Sequence, residues 1–67
     1  MNEIFEDLKA DALFAQRSFS TELLYQTHGK AIMARRLEAI TKEEFMEINR
    51  MTVVFMNTNH DFIRANN

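Results

Sequence analysis

The chain has no cysteine and no proline, and glycine occurs once among its 67 residues. Without cysteine there is no disulfide and no thiolate metal site to staple so short a chain. Without proline, and with Gly29 as the single glycine, little interrupts a helix anywhere. A dominant charge is also missing: 8 Lys and Arg against 10 Asp and Glu leave a net charge of −2. The two signs are interspersed, so no broad field draws in nucleic acid or an anionic membrane. No run of about 18 apolar residues is available to span a bilayer. The start of the chain carries Glu3, Glu6 and Asp7, the opposite of a basic signal peptide. A soluble, cytoplasmic, single helical domain over residues 1–67 is the expectation, with no membrane association and no cofactor.

What is present favours folding. Apolar residues make up 46% of the chain, which suits a folded domain better than a disordered segment. The length lies near the lower size at which one core holds itself together. Support from a second copy or a partner is therefore expected.

Asn2 can cap a first helix, with Glu3, Glu6 and Asp7 placed where the helix dipole favours negative charge. Phe5, Leu8, Ala12, Ala15 and Phe19 then follow steps of three and four. The track continues through Glu22, Gln26, Gly29, Met33, Arg36 and Ile40, and such spacing keeps one stripe on one side of a helix. The pattern predicts a long first helix over about 3–39. A bend or break is allowed near 18–20, where Ser20 could cap a new helix, or near 28–29. A lone glycine costs about 1 kcal/mol inside a helix, too little to end one. After a turn at 40–41, a second helix is predicted over about 42–64, with Phe45, Ile48, Thr52, Phe55, Asn59 and Phe62 as its seam. Ala65, Asn66 and Asn67 should fray.

The string Ile40-Thr41-Lys42-Glu43-Glu44-Phe45 reads as a helix start. Thr41 can cap, Glu44 can reach back to the cap residue's N–H, and Ile40 and Phe45 can close over both as a hydrophobic staple. The fold class that follows is all-α, an antiparallel helical hairpin whose corner is Leu37, Ile40, Thr41, Glu44 and Phe45. Folding the helices about that corner places Leu37 opposite Phe45, Met33 opposite Ile48 and Phe19 near Phe62. Phe5, Leu8 and Ala12 then project past the hairpin, and Leu13, Phe14, Leu24, Tyr25 and Ile32 lie off the main stripe. A helix that is apolar on more than one side is usually buried on more than one side. These eight residues are the expected oligomer interface, and a symmetric dimer is the commonest arrangement.

Leu37, Ile40, Thr41, Glu44 and Phe45 carry a further signal. Over roughly residues 31–56 the chain resembles the SHOCT family, short helical hairpins with a Leu-x-x-Gly-x-Ile-Thr-x-Glu-Glu-Phe-like centre. The resemblance implies a hairpin used for oligomerisation or attachment to other proteins, with no catalytic residues. At the family's glycine this chain has Glu38 followed by Ala39.

Other constellations are weaker. His28 and His60 have no metal-ligand spacing and read as surface histidines. Glu22, Gln26, Thr52 and Asn59 interrupt the stripes, either as a buried polar layer that sets register or as a wet margin. The five Met and six Phe read as core rather than as an adaptable peptide-binding surface. A helix-turn-helix reading would put Glu43, Glu44 and Glu47 against phosphates, where Arg, Lys or Asn is wanted. The remaining argument for DNA binding is a basic strip of Arg17, Lys30, Arg35 and Arg36. No nucleophile–base pair, phosphate loop or metal site points to an enzyme. The leading expectation is a non-enzymatic, self-associating protein–protein interaction module; the alternative is a small DNA-binding or transcription-accessory protein.

Overall fold

Asn2 starts the first helix, α1 (Glu3–Arg17), as its side chain allows. Its Oδ1 accepts from the N–H groups of Ile4 (3.0 Å) and Phe5 (3.2 Å), and Glu3 and Glu6 occupy the first turn. The computed structural model describes residues 2–66, all of whose regular elements are helical. α1 ends in a Schellman turn, with Phe19 N–H donating to Gln16 C=O and Ser20 N–H to Ala15 C=O, both at 3.1 Å. Phe19 holds the left-handed position, φ 52. Ser20 then caps α2 (Thr21–Arg36), its Oγ accepting from Leu23 N–H at 3.1 Å.

The same device closes α2. Glu38 N–H donates to Arg35 C=O (3.0 Å) and Ala39 N–H to Ala34 C=O (2.8 Å), with Glu38 at φ 57. The chain then enters the capping box that opens α3 (Lys42–Asn49). Glu44 N–H donates to Thr41 Oγ1 (3.0 Å), and Thr41 N–H donates to Glu44 Oε1 (2.8 Å). Ile40 is buried, and Phe45 packs against the same cluster.

A single rod over 3–39 is therefore not formed. The break falls at 18–20 and not at 28–29, and magnitudes explain why it is favourable. A left-handed Phe19 costs about 1–2 kcal/mol, and the Schellman bonds and the Ser20 cap satisfy most of the orphaned backbone groups. Folding α1 back onto α2 buries Leu8, Ala12 and Ala15. Burying one leucine fully is worth about 1.5–3 kcal/mol, so the folded-back form wins. The break also changes the phase of the stripe. In α2 the buried residues are Leu24, Thr27, Ala31 and Ala34, while Glu22, Gln26, Gly29, Met33 and Arg36 face outward.

The second predicted helix is also divided. α3 runs without a change of handedness into a π-helical turn (Arg50–Val54) and then α4 (Phe55–Thr58). In that turn Phe55 N–H reaches back to Arg50 C=O. The Met51 carbonyl, which Phe55 would take in a regular α-helix, instead accepts from Gln16 Nε2 at 2.8 Å. At Asn59 the backbone becomes extended (φ −90, ψ 111), and Asn59 Oδ1 caps α5 (His60–Ala65) by accepting from Phe62 N–H at 2.8 Å. Asn59 stops the rod because its side chain offers the next turn a better partner than the helix does. The fraying expected at Ala65 finds that residue still helical, and Asn67 lies outside the described residues.

Three rods result, residues 3–17, 21–36 and 42–58, running alternately up, down and up in a body of 35 × 16 × 16 Å. Two apolar clusters stack along it. One joins Leu8, Ala31, Ala34, Ile40 and Ile48, with Phe5, Phe45 and Met51 against it. The other joins Ala15, Leu24, Met56 and Phe62, with Leu23, Val53 and Phe55 against it. Between them by position on each rod lie Ala12, Thr27 and Thr52, all buried. The threonine hydroxyls are satisfied within their own helices: Thr27 donates to Leu23 C=O (2.9 Å) and Thr52 to Ile48 C=O (2.8 Å). No helix among the described residues is long and apolar enough to cross a membrane.

Asn2 fastens one end of this bundle. Besides capping α1, its Nδ2 donates to Ala39 C=O (2.6 Å) and to Glu44 Oε1 (3.3 Å). One amide thus ties the start of α1 to the corner between α2 and α3. Asn2→Ala removes a cap, worth about 1 kcal/mol, and long-range bonds worth about 0.5–1.5 kcal/mol each. Urea denaturation should show a loss of about 2 kcal/mol. Glu38→Gly should act in the opposite direction. Glu38 is exposed, and glycine relieves its left-handed strain while adding freedom to the unfolded chain. A net gain of about 0.5–1 kcal/mol is expected, read as a melting temperature higher by a few degrees.

Candidate interaction surface

The four large apolar side chains that are more than half exposed, Phe14, Tyr25, Met33 and Leu37, belong to α1, to α2 or to its cap. Ile4, Phe19, Met46, Val54 and Ile63 are less exposed and lie around the molecule. Phe14 is 64% exposed and Leu13 lies beside it on the back of α1. On α2, Tyr25 (63%), Met33 (53%) and the cap residue Leu37 (72%) follow one another through Gly29 at intervals of four, which places them on one side of the helix. Ile32 is half-buried at the edge of that side. Scattered exposed apolar residues are ordinary; a row of them along one rod is not.

Gly29 sits midway along this outward face. A Cβ placed there would meet nothing within 4 Å. No packing inside the chain therefore calls for glycine, although it weakens the helix by about 1 kcal/mol relative to alanine. Glu22 and Arg36 lie one heptad to either side of it, both exposed, and neither forms an ion pair among the described residues.

The expected interface residues divide. Leu8, Ala12 and Leu24 are in the interior of their own chain and are not available to a partner. Their burial follows from the break at 18–20, which supplies α1 with a neighbour that a straight rod lacks. Phe5 is half-buried against the first cluster, with Lys9 Nζ 5.3 Å from its ring. Leu13, Phe14 and Tyr25 remain outside. At the corner, Ile40, Thr41, Glu44 and Phe45 hold together, but Leu37 points to solvent instead of facing Phe45. As the C-cap of α2 it falls four residues beyond Met33 and shares its outward side. Met33 likewise lies outside and does not meet Ile48. Phe19 does meet Phe62, the rings stacked at 6.1 Å.

The basic residues are not brought together. Arg17 ends α1 at the far end of the bundle from Arg35 and Arg36, which end α2. Lys30 lies 3.5 Å from Asp11, an exposed pair of the kind worth about 0–1 kcal/mol. Of the polar interruptions, Thr52 is buried, Asn59 is a half-buried cap, and Glu22 and Gln26 are exposed. His60 is exposed, whereas His28 is half-buried near Phe45, its ring 6.3 Å from the phenyl and its Nδ1 buried without a hydrogen-bond partner. Among the described residues no group of three His, Cys, Asp or Glu side chains could hold a metal ion. An open depression lined by Asn2, Glu3, Ile4, Thr41 and Glu44 lies over the corner. Its Asn2, Thr41 and Glu44 are the same groups that cap α1 and α3.

The interior role of Gln16 and Thr27 and the outward placement of Met33 escape sequence reasoning. The polar and charged residues on its stripe, Glu22, Gln26 and Arg36, were the one signal against burying Met33. No family model, curated protein or solved structure matches the chain.

Proposed function

We propose that this chain is a non-enzymatic interaction module that associates with itself, a dimer being the working unit. The observation that carries this reading is the apolar surface left over after the chain has formed its own core: Leu13 and Phe14 on α1, and Tyr25, Met33 and Leu37 on α2. Exposed apolar surface gathered on a few faces marks sites of protein contact. The polar groups support the same reading, since Asn2, Ser20, Thr41, Glu44 and Asn59 are engaged as caps and ties. The resemblance of the Ile40–Phe45 corner to SHOCT hairpins points the same way.

Sedimentation equilibrium between about 10 μM and 1 mM, the affinity range of modest interfaces, tests it. The mean mass should rise from 7.9 kDa toward twice that value. A constant 7.9 kDa throughout contradicts the reading.

A further inference from the structure

We infer that the dimer is centred on α2, packed antiparallel against α2 of a second copy across a two-fold axis at Gly29. This rests on the self-association proposed above and specifies its surface. Three observations carry it. First, the outward face of α2 is uncovered, and among its polar residues it carries two large apolar side chains, Tyr25 and Met33, each more than half exposed. Second, Gly29 at the midpoint has open space around it, so its missing side chain serves nothing within the chain. Two helices can come closest where neither carries a side chain, near the lower limit of about 8 Å between axes.

Third, the face is complementary to itself in that register and in no parallel one. In an antiparallel pair centred on residue 29, each position meets the one equally far on the other side. Tyr25 then meets Met33 of the second copy, Gln26 meets Ile32, and Glu22 meets Arg36. Every pairing occurs twice by symmetry, as a two-fold interface requires. Both acid–base pairs are of opposite sign, and both partners are exposed and without an ion pair among the described residues. A parallel pair would set Glu22 against Glu22 and Arg36 against Arg36. Charges at the rim select register in this way more than they add affinity. A shallow crossing of about 20° keeps the seam aligned over the two heptads between Glu22 and Arg36.

Charge reversal with sedimentation analysis tests the register. Glu22→Arg and Arg36→Glu should each weaken dimerisation by about tenfold or more, because each places like charges together at both ends. The double variant should return to within a few-fold of the starting affinity. Reversing both charges also opposes the α2 dipole, so recovery of the dimer accompanied by a lower monomer melting temperature cannot come from a better-folded monomer. Gly29→Gln provides an independent arm. It should raise the monomer's melting temperature while abolishing the dimer. If the unaltered chain dimerises and these variants leave it unaffected, or the double variant is no better than the singles, the α2 interface is wrong although self-association stands. If the unaltered chain stays monomeric, both fail.

Discussion

Replacing Phe62 by alanine should lower the stability of the chain by about 3–5 kcal/mol, the range for a buried phenylalanine. Phe62 is 1% exposed and joins Leu24, Met56 and Ala15 in the second of the two clusters. Its ring lies edge-on to Phe55 at 5.3 Å and stacks on Phe19 at 6.1 Å. α5 has six residues, far fewer than a helix needs to persist alone in water. Phe62 is therefore what holds α5 against the bundle. A domain of this length has a total stability of about 3–10 kcal/mol, so the variant should melt more than 10 °C lower. Hydrogen exchange should show α5 losing protection first. A loss below about 1 kcal/mol would mean that α5 is not docked.

Ile48→Ala should cost about 3–4 kcal/mol. Ile48 is fully buried among Leu8, Ala31, Ala34 and Ile40, at the level where all three rods meet. Its neighbours on α2 are alanines, already small and held on a helix, so they cannot move in to fill the space. Cavities that fail to collapse carry the larger penalties. Ile48→Val, which keeps most of the volume, should cost only about 0.5–1.5 kcal/mol. Urea denaturation of the pair checks this; equal losses would show that Ile48 is not a packing centre.

The capping box at Thr41 and Glu44 was legible because its chemistry is local: four consecutive residues contain both donors and both acceptors. The caps at Asn2 and Ser20 were legible for the same reason. The break at 18–20 was offered but not preferred, and the cause is physical. Helix ends are usually signalled by glycine in the left-handed position, whereas both Schellman turns here put ordinary residues there, Phe19 and Glu38. The apolar spacing gave no warning either, since α2 has two usable tracks. The track through Gly29 and Met33 continues the phase of α1, while the one that is buried, Leu24, Thr27, Ala31 and Ala34, contains alanine and threonine and reads weakly. Small residues let the rods approach closely, and they score low as hydrophobic signal for that same reason. The π turn had no sequence cue, because its freed Met51 carbonyl depends on Gln16, a residue remote in the chain.

Of the candidate surface, Leu13, Phe14 and Tyr25 were legible as apolar residues away from the main stripe. Met33 and Leu37 were assigned inside because the phase was carried across the break. Leu24 was assigned outside for the converse reason, and Leu8 and Ala12 because an unbroken rod carries them past the end of the second helix. The break at 18–20, with the change of buried track on α2 that it brings, reverses these assignments together.

The most direct measurement is an isotope-filtered NOE experiment on a one-to-one mixture of labelled and unlabelled chain. Tyr25 and Met33 lie about 12 Å apart along one α2, and the filter passes only contacts between copies. Cross-peaks from the Tyr25 ring to the Met33 methyl of the other copy are the predicted result. Intermolecular peaks confined to Leu13 and Phe14, or none at concentrations where the mass has doubled, would contradict the account.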